Sequence, residues 1–324
     1  MSTQRVRLEA IAPRAWEHPA DKAAFSLLRG IPGLPEFLSN MGGLTTDRAL
    51  RLHWLGSSLR ATPLQFPQLH AAVAEACRVL DVSPVPEVFV APGLGLNAMA
   101  VGFDQPFLVV SSGLYRELTE DELLAVLGHE LAHIKAGHMV YRTVLWLLTN
   151  VSLSLAQASQ WVRLPLVAAL KDWERKSELS CDRAGALVCQ NPEAARRALL
   201  RIAYPGQESL LDEAEVLKQA ADYDAAPDLL DSLYKVLNVL ELSHPLLVPR
   251  VAELERWSRD PAYAAILAGT YPREGEAAPN PATDAKEAFD DWKADLNRSA
   301  DAGNQMLGKA VTEAERFLGN LFRP

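Results

Sequence analysis

Five residues in the middle of the chain, His129-Glu130-Leu131-Ala132-His133, put three chemical jobs on one helical turn. His129 and His133 are four apart, so on a helix both imidazoles leave the same face. Two imidazoles on one face can grip a zinc ion, and Glu130 beside them can reach a metal-bound water as a general base. The same letters also fit two core or surface histidines that bind nothing. A second pair bears on the choice. Glu178 and Asp182 are again four apart, within the helical pattern around Arg175 to Gly185. A catalytic zinc takes three protein ligands and keeps one position for water. Glu178 can supply the third ligand. Asp182, one turn later, can accept the free N–H of a ligating histidine and hold its tautomer. Alone, this pair reads as a solvated helix face. Joined to the first helix, it makes a two-helix site for one zinc ion per chain.

Positioning these groups takes well-defined elements. Thr119 suits an N-cap and Glu122 its capping-box partner, and Leu123, Leu124, Leu127, Leu131 and Ile134 form a buried stripe behind them. Glu87 to Ala91, Ala98 to Gly102 and Phe107 to Ser111 read as short strands separated by Pro92-Gly93 and Asp104-Gln105-Pro106. Helical patterns cover Asp21 to Leu28, Asp47 to Leu59, Leu69 to Leu80 and most of 193–257. The fold class is therefore α+β, mainly helical, with a small sheet. Gly93-Leu94-Gly95 is not a dinucleotide fingerprint, because no third glycine opens a helix behind it.

The order of these pieces resembles the HtpX-like and CAAX-prenyl-protease-type zinc metallopeptidases of the gluzincin group. The resemblance is carried by Asn97-Ala98-Met99-Ala100-Val101-Gly102, Ser111-Ser112-Gly113-Leu114, Gly128-His129-Glu130-Leu131-Ala132-His133 with Gly137-His138, the Glu178 to Asp182 element, and Ser243-His244-Pro245 with Arg250. It spans roughly residues 65 to 260 and implies a metal-dependent endopeptidase. By this resemblance the strand bearing Asn97 and Ala98 is an edge above the zinc cleft, where an extended polypeptide can pair through its backbone. His244 and Arg250 then face substrate across the cleft, His244 as an oxyanion donor and Arg250 holding substrate backbone or fixing the site. A role in quality control of misfolded or membrane proteins is implied at family level only. Read without the resemblance, Asn97 suits a turn and His244 a loop. His18, His53, His70 and His138 show no partner pattern; Gly137-His138 can simply end the helix.

Composition narrows the function classes. The 324 residues carry a net charge of −9 and no Lys/Arg cluster, which excludes a nucleic-acid partner. The one modest basic group, Arg196, Arg197 and Arg201, reads as a solvated helix face. Cys77, Cys181 and Cys189 lack zinc-finger spacing and read as reduced thiols, with Cys181 packing near the site but not ligating. The N-terminus has no apolar signal core, which gives a cytoplasmic reading. Residues 143–162 are uncharged and long enough to span a bilayer. Their apolar set repeats on one side, which favours a packed helix over a span, with membrane association as the alternative. The expected organisation is an N-terminal helical extension (1–64), the peptidase domain (65–260), a linker (261–282), and an amphipathic helix or tail (283–324). The rival function is a non-proteolytic zinc protein that binds extended peptides; the intact Glu130 argues against it, because binding needs no base.

Overall fold

The computed structural model describes residues 5–29, 47–102, 105–142, 145, 160–225 and 247–276. A four-stranded mixed sheet has the order β1-β2-β4-β3. Its strands are β1 (Leu59–Arg60), β2 (Val88–Ala91), β3 (Ala98–Val101) and β4 (Phe107–Ser111). β2 and β4 run parallel, while β1 and β3 join as antiparallel edges. Three of these strands fall where alternation and turn residues predict them. β1 does not: two residues are too few to show a period, and Asp47–Ser57 ends the helix just before them.

The helices are α1 (Pro19–Arg29), α2 (Asp47–Ser57), α3 (Pro67–Leu80), α4 (Ser112–Glu117), α5 (Glu120–Lys135), α6 (Gln160–Cys189), α7 (Pro192–Ala203), α8 (Glu213–Ala225), α9 (Leu247–Arg259) and α10 (Pro261–Leu267). The start of α5 is the capping box read from sequence: the Thr119 N–H and hydroxyl both meet Glu122 Oε2 at 2.8 Å. Leu124, Leu127 and Leu131 are fully buried beneath it. α5 packs along α6 at very short range. A Cβ on Gly185 would sit 2.5 Å from the Ala125 carbonyl oxygen, and one on Gly128 would sit 2.6 Å from the Val188 Cβ. Two missing side chains thus let the histidine helix and the carboxylate helix touch beside the site.

One core cluster joins residues from several of the expected segments. Leu8, Ile11 and Trp16 from the N-terminal segment share one cluster with Leu127, Leu131, Ala184 and Leu187 of the site helices. Tyr263 and Ile266 of α10 join the same cluster. Residues 271–276, read as linker from their Pro, Ala and Glu content, instead hydrogen-bond to the N-terminal segment, with Ala12 N–H donating to Pro272 O and Glu274 N–H to Ala10 O. Backbone pairing between chain ends leaves no mark in local composition. The basic trio differs too. Arg196 is buried and pairs with Glu213 and Glu255, and Arg201 pairs with Glu122 and Glu208. Four carboxylates from elsewhere in the chain thus clamp Arg196 and Arg201 on α7, while Arg197 is exposed as expected. Residues 283–324, and 143–162 apart from Leu145 and the start of α6, lie outside the described residues. No described helix is long and apolar enough to cross a membrane.

Candidate metal centre

Helical spacing brings His129 and His133 to the same face of α5, with ring centroids 5.0 Å apart. α6 presents Glu178 opposite them. One Glu178 carboxylate oxygen lies 3.4 Å from His129 Nε2 and the other 3.3 Å from His133 Nε2. The next turn of α6 places Asp182 Oδ1 2.9 Å from His129 Nδ1. Arg250, from α9, grips Asp182 through Nε and Nη2 at 2.7 and 2.6 Å. The structure therefore brings His129, Glu130, His133, Glu178, Asp182 and Arg250 together. Its edge on Arg250 is specific: the guanidinium faces Asp182 and lies 3.5 Å from Glu178. His244 lies outside the described residues.

The residues fit a divalent ion. His133 Nε2 is buried without a hydrogen-bond partner, and buried polar atoms in native proteins nearly always have one. Two imidazoles and a carboxylate make the His2Glu donor set of a catalytic zinc site. A second trio, His129, His133 and Cys181, also has potential donor atoms within 4.8 Å of one another. The surroundings separate the two sets. Cys181 Sγ sits 3.8 Å from His138 Nδ1, which itself touches His133 Nδ1 at 3.2 Å. The sulfur is thus on the Nδ1 side of His133, while Glu178 faces both Nε2 atoms. Burial also pushes the pKa of the Cys181 thiol well up while no ion is bound.

Electrostatics sort the groups further. Burial acts to lower the His129 pKa, but Glu178 and then Asp182 outweigh it and hold the ring up to about 10. Burial takes His133 well below the ordinary value, with Arg142 acting the same way. Burial raises the Glu130 carboxyl, opposed by the charges of His129 and Arg142. Asp182 is held low despite its burial, chiefly by Arg250.

Glu130 is tied to the sheet. Its Oε2 accepts from the Ala100 N–H at 2.8 Å. The register explains why that N–H is on offer. Ser111 N–H donates to Asn97 O, which makes 97 and 111 a hydrogen-bonded pair, so the alternate residues Ala98 and Ala100 turn their N–H and C=O away from β4. Among the described residues, no strand pairs with β3 on that side. Asn97 and Ala98 line a cavity of about 300 Å³ together with His129, Glu130, Glu178 and Arg250. Leu199, Ile202, Leu247 and Leu254 give it an apolar wall.

Sequence reasoning missed His138, Asp21 and Arg142. His138 stands five residues after His133, a spacing that gives no clue to which ring atoms meet. Nothing local marks Asp21, whose partners lie far along the chain.

Comparison with known proteins agrees with this geometry. The family model described as Peptidase family M48 matches residues 63–258. The chain is 36% identical over 258 residues to "Plastoglobule-localized metallopeptidase 48, chloroplastic" of Arabidopsis thaliana, covering 78% of this chain and 74% of that one. It is 29% identical to a "Protease HtpX homolog" of Syntrophobacter fumaroxidans over 48% of this chain and 66% of the relative. It is 24% identical to "Protease HtpX homolog 2" of Methanosarcina mazei over 64% of this chain and 78% of the relative. A match that runs through both site helices and the edge strand, on the fold such a site requires, leads to one assignment: the chain belongs to peptidase family M48 and is a metalloprotease.

Proposed function

We propose that the protein is a zinc endopeptidase in which His129 Nε2, His133 Nε2 and the Glu178 carboxylate hold one zinc ion and Glu130 is the general base. The observation that carries this reading is the buried His133 Nε2, without a hydrogen-bond partner and 3.3 Å from Glu178. When bound, zinc supplies Lewis acidity toward a water and toward the scissile carbonyl oxygen. Glu130 takes the proton of the attacking water on its carboxylate and delivers it to the leaving amine. Burial raises its pKa, against the charges of His129 and Arg142. The Ala100 N–H steadies the carboxylate for it.

The outward N–H and C=O of Ala98 give an extended polypeptide a place to pair, with the chain laid beside Glu130. The apolar wall of the cavity then takes a side chain of that polypeptide. Arg250, held on Asp182, fixes the site through His129, and it also lines the cavity that would take substrate. His244 keeps its resemblance-based role as an oxyanion donor. The one-sided apolar pattern in the sequence of 143–162 is the ground for placing the protein off the membrane; retention in the pellet after an alkaline carbonate wash would overturn that.

Glu130→Gln tests the catalytic assignment. It is expected to keep one equivalent of zinc and to lose peptide hydrolysis by about 10²–10⁴-fold. Hydrolysis at the wild-type rate would show that Glu130 is not the base. A peptide-binding protein without protease activity predicts no chelator-sensitive cleavage by the wild type in the same assay.

A further inference from the structure

The rear of the site holds a second chain of polar groups that the hydrolysis does not use. His133 Nδ1 points away from Glu178 and meets His138 Nδ1 at 3.2 Å. His138 Nε2, the other end of that ring, lies 3.9 Å from Asp21 Oδ2. Asp21 belongs to α1, outside residues 63–258 that the family model matches, yet it is only 1% exposed. Two hydrogen bonds fix it there. His18 N–H donates to Ser180 Oγ at 2.9 Å, and the Ser180 hydroxyl donates to Asp21 Oδ2 at 2.5 Å. Phe25 of α1 and Trp173 of α6 box the His138 ring at centroid distances of 5.8 and 5.3 Å.

We infer that Asp21 and His138 are positioning residues that set the tautomer of His133, so that the N-terminal helix is part of the metal centre. The argument is one of proton counting. Two Nδ1 atoms at hydrogen-bond distance need one donor and one acceptor. If His133 is to bind metal through Nε2, that atom must be bare and its proton must sit on Nδ1. His138 Nδ1 must then accept, which puts the His138 proton on Nε2. Asp21 Oδ2, 3.9 Å from His138 Nε2, favours that arrangement, and a cation on His133 Nε2 removes the opposing pull of Glu178, 3.3 Å from that atom. Cys181 agrees with it, since a protonated thiol 3.8 Å from His138 Nδ1 also offers a proton to that atom. With the His138 proton on Nδ1 instead, His133 is driven to carry its own on Nε2, where the ion belongs. Asp182 does the corresponding job for His129 directly; Asp21 does it for His133 at one remove.

This inference rests on His133 binding through Nε2, so the experiments separate the two claims. Burial pushes the Asp21 carboxyl up to about 7, so all measurements are made in buffer well above that value, where it is ionised. In the zinc-loaded full-length wild type, long-range ¹H–¹⁵N spectra of the histidine rings report each tautomer. The expected result is His133 protonated on Nδ1 and His138 on Nε2; the reverse overturns the inference. Zinc affinity is then measured by chelator competition on three variants. His138→Phe and Asp21→Ala should each weaken binding roughly 10–100-fold, while His138→Asn, whose carboxamide oxygen can replace the accepting Nδ1, should recover most of it. A purely structural role predicts that His138→Asn and His138→Phe lose zinc equally. Wild-type affinity in a folded His138→Phe chain also overturns the inference. If His133→Ala keeps tight zinc, the ligand assignment fails instead.

Discussion

The two histidines of α5 are one turn apart, yet their surroundings differ in kind. His129 stands among charges, with Glu178 at one nitrogen and Asp182, locked by Arg250, at the other. His133 shares Glu178 but otherwise meets His138, whose own ring touches Phe25, Trp173 and Cys181, and it is at 0% exposure. The electrostatic consequence is opposite for the two rings: carboxylates hold His129 protonated up to about 10, while burial keeps His133 neutral. In one half an incoming ion must displace a proton held by the carboxylates, and the other offers a lone pair already free of its proton. The difference also follows chain position. The charged half is built by α6 and α9, inside the matched family region; the enclosed half draws on α1, outside it.

Removing the group that both halves share gives the largest expected effect. Glu178→Gln should weaken zinc binding by well over the roughly 100-fold typical of changes to groups behind a ligand. Cys181→Ala should leave zinc affinity unchanged, and tight zinc in the first variant with loss in the second would reverse the ligand choice. Chelator competition reads both. On the charged half alone, Asp182→Asn should cost about 10–100-fold in zinc affinity, because an amide can hold the wrong tautomer of His129. Equal affinity would show that Asp182 only packs.

A smaller effect is expected where the two halves are tied together. Glu253 on α9 lies 2.6 Å from Arg183 of α6 and 3.3 Å from His18, the residue before α1. Burial opposes its ionisation, but His18 and Arg183 prevail and bring its pKa from 4.5 to about 2. A depressed carboxylate contributes stability above its unfolded pKa and loses it as pH falls through the folded one. Glu253→Gln should therefore cost about 2 kcal/mol near neutrality, allowing for partial exposure. That gap should close between about pH 4.5 and pH 2. Denaturant melts of both chains across that range check it; a gap that stays constant with pH would remove the ion pair from the account.

The charged half was legible in the sequence, and the enclosed half was not. Spacing of four places His129 with His133 and Glu178 with Asp182 whatever the rest of the chain does, because helix geometry alone aligns them. The capping box at Thr119 and the alternation around Ala98 are equally local. By contrast, Asp21 reaches Ser180 across 159 residues. Periodicity says which face of α1 is apolar but not which buried partner its one carboxylate meets. The same limit hid the carboxylates that clamp Arg196 and Arg201, and the pairing of residues 271–276 with the N-terminal segment. The edge position of β3 came from resemblance, and the parity that hands Ala100 N–H to Glu130 needed the register.

X-ray absorption at the zinc edge of the metal-loaded wild type addresses the ligand set most directly. Nitrogen and oxygen neighbours at about 2.0–2.1 Å, including two imidazoles and no sulfur, are the expected result. A sulfur neighbour at about 2.3 Å would place Cys181 on the ion and contradict the assignment of Glu178.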